Sequence, residues 1–325
     1  MASRPTITIV GTGLIGTSLG MAITQSRGKE IEVIGHDRDH AQAGLARRMG
    51  AVSSVDRNLI SACAKADMLI LAIPASGIRE TFELVANDLK SGCVVHDTAS
   101  VKVSVLDWAN ELLPPEVSYV GGDPILFGDE AGIDSARSDL FSGIQYCITP
   151  AARASSEAVK LVTDLVAMTG AIPHFIDPHE HDGLIGATEH LADLVAVAFL
   201  RTLSTSNGWR DMRRMAGATF DRVTCFSSAD PAEYRDRALL NKKNVIRWID
   251  GLQMQLSQLR ALIERDDGVA VQTYFEEEMQ ERLEWLQDRA SKNWGDMPEK
   301  TDIPTAGEMM SGMLFGGLGR RRRED

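Results

Sequence analysis

Three glycines and an acid are the first residues whose types and spacing could do chemistry. Gly11, Gly13 and Gly16 stand in a GxGxxG arrangement directly after the run Ile7-Thr8-Ile9-Val10, and a helical pattern opens at Leu14. The three glycines serve in turn a tight turn, close approach of a pyrophosphate to the backbone, and close packing of helix on strand. The first N–H groups of the helix then face the phosphates. Asp37 ends the apolar run Ile31-Glu32-Val33-Ile34, about twenty residues on, where a carboxylate binds the ribose hydroxyls of NAD and repels the 2′-phosphate of NADP. The expected cofactor is therefore NAD rather than NADP, although Arg38 could swing toward a phosphate. Leu14, Ile15, Arg38 and Pro74 complete the expected cofactor-binding set.

Farther along, polar residues gather where strands end. Ser100 and Lys102 lie in Asp97-Thr98-Ala99-Ser100-Val101-Lys102, and Asp123 lies in Gly121-Gly122-Asp123-Pro124. Ser100 reads equally as a helix N-cap or a substrate contact. Lys102 taken alone reads as an exposed first-turn residue, and Asp123 as a turn residue. His181 and His190 are nine positions apart on one helical run, which at about 100° per residue sets them on opposite sides. That spacing does not suit a metal pair, and no metal site is expected. Asp193 shares a face with His190, as a surface pair or as part of a site. Arg210, Arg213 and Arg214 could bind carboxylates or form a solvated helix face.

These residues need elements to position them. Apolar runs at Asp67–Ile73, Cys93–His96, Val117–Val120, Ile144–Ile148 and Ile172–Ile176 alternate with helical patterns. The grammar is that of a doubly wound, Rossmann-type parallel sheet of the α/β class. From Asp177 onward it changes to helices alone: Pro178–Leu203, Pro231–Glu264 and Val269–Lys292. The expected domains are residues 1–176, which bind the dinucleotide, and an all-helical 177–325 ending in an irregular tail. Ligands of such sheets sit beyond the carboxyl ends of the strands. Ser100, Asp123 and the entry to the helical domain all fall at that edge.

Composition narrows the function classes. The chain has 325 residues and a net charge of −12, which argues against nucleic acid or an anionic membrane as partner. Arg320–Arg323 is the one dense basic run, and it reads as a solvated tail. Cys63, Cys93, Cys147 and Cys225 are widely spaced without CxxC pairing, so reduced thiols and a cytoplasmic location are expected. No apolar stretch reads as a membrane span. Met309, Met310, Met313, Leu314 and Phe315 in the tail could pack on a neighbouring subunit.

In order along the chain, GTGLIGTSLG, DTASVKVSV, GGDPILFGDEAGIDSARSDLF, ITP, DPHEHDGLIGATEHLADLVA and WRDMRRMA resemble the prephenate and arogenate dehydrogenases of tyrosine biosynthesis. The likeness runs to about residue 250 and rests on the ordered set, since the glycine motif alone is generic. It implies a Rossmann domain joined to a helical dimerisation domain, a homodimer, and NAD-linked oxidation of a small cyclohexadienol with loss of carbon dioxide. By motif, Ser100 matches the serine that approaches the ring hydroxyl, Lys102 the lysine beside it, and Arg214 the arginine that holds the side-chain carboxylate.

The departures from the pattern matter as much. Where the family has His-Pro this chain has Asp123-Pro124, and where it has Ser-His-Leu-Pro-His this chain has Glu189-His190-Leu191-Ala192-Asp193. A stretch from Gly217 to Ser228 is an insertion relative to the family pattern. An aspartate, with its usual pKa near 3.9, is a weaker base than histidine unless burial raises it. A carboxylate about 4 Å from a substrate carboxylate costs about 4 kcal/mol at an effective dielectric of 20. An amine-bearing substrate such as arogenate is therefore favoured over prephenate. The expected catalytic set is Ser100, Asp123, His190 and Asp193. Alternatives left open are another substrate, an NAD-binding paralogue without activity, and a hydroxy-acid or imine dehydrogenase.

Overall fold

The structure is a computed structural model, and it describes residues 4–128, 132–226 and 230–291. By internal contacts the chain divides into a unit ending at Val245 and a second beginning at Ile246. The first unit starts with β1 (Thr6–Val10), α1 (Leu14–Arg27), β2 (Glu32–His36), α2 (His40–Arg48), β3 (Ser54–Val55), α3 (Leu59–Ala64), β4 (Met68–Leu71) and α4 (Ala75–Val85). It continues with β5 (Val94–Asp97), α5 (Val103–Leu112), β6 (Ser118–Pro124), β7 (Gln145–Pro150), α6 (Ser156–Met168) and β8 (Ile172–Phe175).

The eight strands form one sheet in the order β3-β2-β1-β4-β5-β6-β7-β8. All pairings are parallel except β6 with β7. Helices cover both faces, so the central strands are apolar throughout; Leu69, Ile70, Leu71 and Val95 have no exposed surface. Each such side chain contributes about 1.5–3 kcal/mol on removal from water. Short polar residues start the helices: Asp39, Asn58, Ser155 and Asp177 each accept a backbone N–H in the first turn of α2, α3, α6 and the helix at Pro178.

The strand alternation agrees with the sequence reading, with two differences. Ser54–Val55 adds a strand too short to show in the apolar pattern. Gly121–Pro124 is not a turn; it extends β6 beyond the end of β5 and pairs with β7, placing Asp123 opposite Cys147. Asp123 is therefore a strand residue.

The remaining elements are helical. α7 (Pro178–Ile185) runs through a π-helical turn (Gly186–His190) into α8 (Leu191–Ser204), followed by α9 (Trp209–Met215), α10 (Ala218–Val223), α11 (Pro231–Leu240), α12 (Lys242–Glu264) and α13 (Gly268–Ser291). The expected Pro231–Glu264 helix is broken at Asn241, whose backbone leaves the helical region (φ −104°, ψ 28°). By length and composition alone, the continuous Pro178–Ser204 helix is long and apolar enough to cross a bilayer, a test that the core helix of a soluble protein also meets. It nevertheless buries His181, Asp182, His190 and Asp193 within this unit. The tail residues Met309, Met310, Met313, Leu314, Phe315 and Arg320–Arg323 lie outside the described residues.

Candidate active site

At the carboxyl edge of β1 the glycine turn is built as the spacing predicts. Gly11 has φ +91°, and a side chain there would strike the Ala72 carbonyl; one on Gly16 would strike the Gly11 carbonyl. Gly13 caps α1 without any side-chain hydrogen bond, and the space above it is open, the nearest atom to an added Cβ being Gln42 Nε2 at 3.9 Å. Asp37 accepts from the Thr12 N–H at 2.7 Å, from the Thr12 hydroxyl at 3.0 Å and from Gln42 Nε2 at 3.3 Å. The acid is thereby fixed against the phosphate loop. This cradle fits a dinucleotide: open backbone N–H groups for the pyrophosphate and an oriented carboxylate for the ribose.

Two strands along, the loop after β5 is held by a buried ion pair. Lys102 has no exposed surface; its Nζ donates to Asp97 Oδ2 at 2.5 Å and to the Gly122 carbonyl at 2.6 Å. Asp97 also accepts from the Tyr119 hydroxyl at 2.6 Å and from the Ala99 N–H at 2.9 Å. Lys102 is therefore neither an exposed residue nor placed to bind substrate. It ties β5 to β6 from below, because a buried ammonium needs carboxylate and carbonyl acceptors around it.

Ser100 does not cap α5. Asp182 does so from α7, its carboxylate accepting from the Lys102 N–H at 2.7 Å and the Val103 N–H at 3.0 Å. The Ser100 hydroxyl instead meets His190 Nε2 at 3.4 Å. Asn241 donates from Nδ2 to the Asp182 carbonyl at 2.6 Å and to His190 Nδ1 at 3.3 Å, while its own Oδ1 accepts from Asn244. Burial, then the Arg237 charge, lowers His190 to a pKa of about 4, so the ring is neutral. With Nδ1 receiving a proton from Asn241, the ring hydrogen sits on Nε2 and points at Ser100. His190 is thus a donor that orients the serine, whose own hydroxyl proton is left to face a ligand.

The second arm of the site begins at Asp123, which is 6% exposed. Its Oδ2 accepts from His181 Nε2 at 3.1 Å, and His181 Nδ1 donates to Asp182 Oδ1 at 3.0 Å. Burial alone would lower His181, but the two carboxylates overcome it and lift the pKa to about 11, which makes the ring an imidazolium. Burial raises Asp123, against the pull of His181. Asp123 Oδ1 takes no hydrogen bond among the described residues. Ser100, His190, Asn241, Asp182, His181 and Asp123 thus form one connected chain.

Both histidines enter that chain because of the π turn. An i→i+5 turn absorbs one extra residue, so nine positions rotate like eight and end about 80° apart instead of 180°. The opposite-sides placement expected from the spacing holds only for a regular helix.

Residues 20–173 match the nucleotide-binding domain of prephenate dehydrogenase, and residues 177–281 match its dimerisation domain. The chain is 30% identical to the prephenate dehydrogenase of Bacillus subtilis (strain 168), over 84% of this chain and 74% of the relative. It belongs to the prephenate dehydrogenase family. Identity to a cyclohexadienyl dehydrogenase of Zymomonas mobilis is 25%, over 85% of this chain and 94% of that protein. The crystal structure of the A. aeolicus prephenate dehydrogenase in complex with hydroxyphenyl propionate and NAD+ is similar, with TM-score 0.80, 26% identity, and coverage of 87% and 98%.

Of the four residues expected to be catalytic, Ser100, His190 and Asp123 fall on this hydrogen-bonded chain. Asp193 is 8% exposed and pairs with Arg237 at 2.8 Å; it is not half of a surface pair with His190. Glu189 is exposed, yet partial withdrawal from water and the charges of Asp123 and Asp193 raise its carboxyl pKa. Arg214 is exposed on α9 and makes no hydrogen bond or ion pair among the described residues. His181, Asp182, Arg237 and Asn241 belong to the site without being expected there from the sequence. Their only local signals are the His-Asp pair behind the Asp177-Pro178 start of α7 and the asparagine interrupting an otherwise continuous helical pattern.

Proposed function

We propose that this protein is an NAD-dependent dehydrogenase that oxidises an arogenate-like cyclohexadienol and releases carbon dioxide as the ring becomes aromatic. The observation that carries this reading is a buried carboxylate, Asp123, with one oxygen held by an imidazolium and the other open, on the same hydrogen-bonded chain as an oriented serine. Bound in the glycine cradle, the nicotinamide would supply the hydride acceptor. Ser100 donates its hydroxyl proton to the reacting oxygen, and Asp123 Oδ1 accepts the proton that the same oxygen carries. As the alcohol becomes a carbonyl, Ser100 keeps donating to it. Once carbon dioxide has left, Asp123 returns the proton to the phenolic oxygen.

The His181 imidazolium keeps Asp123 in its basic form despite burial. An ordinary histidine base is replaced by a carboxylate whose strength comes from desolvation. Glu189, next to His190 on the π turn, suits a substrate ammonium, which arogenate carries beside its side-chain carboxylate and prephenate lacks; this supports arogenate over prephenate. Assays of the purified chain with NAD+ or NADP+ and with arogenate, prephenate and simple hydroxy acids test the reading. Turnover of none of them, followed by reduced nicotinamide and carbon dioxide, would overturn it.

We further infer a cytoplasmic homodimer. α8 and α9 expose Val197, Phe199, Met212 and Met215, the last 87% exposed, on the segment that matches the family's dimerisation domain. Light scattering on the full chain checks the dimer.

A further inference from the structure

The dinucleotide crevice of this sheet lies where the strand order reverses, between β1 and β4. The loop leaving β4 forms one wall of it, since the Ala72 carbonyl and the Ile73 side chain fill the space that a side chain on Gly11 would need. Pro74 then opens α4 and offers its N-terminus no side-chain cap. A carboxylate from far along the chain supplies one. Asp236 on α11 accepts the Ser76 N–H on Oδ2 at 3.3 Å, and Arg235 donates to its Oδ1 from Nε at 2.8 Å and from Nη2 at 2.7 Å. Asp236 is buried, 6% exposed. A carboxylate withdrawn from water needs such donors, and the start of a helix favours its negative charge. The same short helix also reaches the serine arm: Arg237 pairs with Asp193, and Asn241, just past the end of α11, holds the Asp182 carbonyl and His190. Between these contacts the Leu240 carbonyl accepts the Ser104 hydroxyl at 3.4 Å, which fastens α11 to α5 behind Ser100.

Resting on the functional reading above, we propose that Asp236 is a positioning residue that joins the cofactor crevice to the serine arm, so that bound NAD+ strengthens the hold on substrate. Asp236 touches neither ligand. A dinucleotide that orders the wall after β4 also orders the Ser76 N–H that fixes Asp236. Through α11 and Asn241 this steadies His190, whose Nε2 hydrogen aims Ser100. The second ligand then meets groups that are already held, and less conformational freedom is lost when it binds. By linkage, substrate strengthens the hold on NAD+ by the same factor.

A linkage cycle tests the proposal. Calorimetry gives the affinity of hydroxyphenyl propionate with and without saturating NAD+, and that of NAD+ alone, for the unaltered chain, Asp236→Ala and Asp236→Asn. In the unaltered chain NAD+ should tighten hydroxyphenyl propionate by about fivefold or more, the lower end of ordinary coupling between sites. Asp236→Ala should bring that factor within about twofold while each ligand alone keeps its affinity. Asp236→Asn keeps an oxygen for the Ser76 N–H but not the charge, and should fall between. A residue that only supported the fold would weaken each ligand alone and leave the factor intact; that result overturns the proposal. NAD+ affinity reports folding, and an undiminished factor in the asparagine variant decides against the proposal if the alanine variant does not fold. An unaltered chain that binds hydroxyphenyl propionate equally with and without NAD+ overturns this proposal alone. One that binds it in neither condition overturns the functional reading and this proposal with it.

Discussion

Replacing Asp123 by asparagine isolates the proton acceptor with little change of shape. The amide oxygen still accepts from His181 Nε2, now 3.1 Å away, while the amide nitrogen facing the ligand cannot accept a proton. A positioned general base contributes about 10²- to 10⁴-fold, or about 3 to 5 kcal/mol of barrier at 1.36 kcal/mol per decade. The turnover number should therefore fall by that factor, with NAD+ affinity unchanged because the glycine cradle is built on β1. The pH profile gives a sharper reading. Asp123 must lose its proton to act, and burial raises its pKa, so activity of the unaltered enzyme rises with pH through a limb above the ordinary carboxylate range. The variant should lose that limb. Its stability carries a separate signature from His181, whose folded value of about 11 lies above its ordinary 6.5. A raised value stabilises the fold fully below the unfolded pKa and ceases to do so as pH rises through the folded one. Loss of Asp123 lowers the folded value, so the deficit in denaturant midpoint should be largest near neutrality and shrink toward pH 11. Turnover within about twofold of the unaltered enzyme, with the limb intact, would refute Asp123 as the base.

Ser100→Ala removes the donor to the reacting oxygen and should lower kcat/KM by about tenfold, read in steady-state kinetics at saturating NAD+. Lys102→Met leaves Asp97 buried with no cation; urea unfolding should show a loss of about 3–5 kcal/mol. Asp37→Ala should weaken NAD+ and narrow its advantage over NADP+, since the carboxylate both binds the ribose and repels a 2′-phosphate; unchanged Michaelis constants for both nucleotides would count against that role.

The parts of this molecule that sequence makes plain are those dictated by local physics. β-branched runs, a glycine turn that only one residue type can make, and short polar caps specify the strands, the cofactor loop and the helix starts without reference to distant partners. Asp123 and Ser100 are visible through their place at strand ends. What stays hidden depends on partners far along the chain. Lys102 reads as a surface residue until Asp97 and the Gly122 carbonyl enclose it. Asn241 is a helix interruption until it reaches Asp182 and His190, 59 and 51 residues back. Arg237 carries no motif at all; only its contact with Asp193 marks it. The π turn has no compositional signature, since it differs from its flanks only in which carbonyl each N–H selects.

That turn makes the helix from Pro178 to Ser204 tolerant of length changes in one direction only. The Leu191 N–H reaches back to the Gly186 carbonyl, so one residue is already absorbed there, and removing Ala187 or Thr188 would restore regular winding while everything after it kept its bearing. Inserting a residue between the two histidines would instead rotate everything after it by about 100°. His190 would then swing off Ser100 and Asp193 off Arg237 together, while His181 and Asp123 stayed in place. The two arms of the site are thus indexed to each other by the residue count between the histidines. An insertion there would uncouple serine orientation from proton acceptance without touching either group.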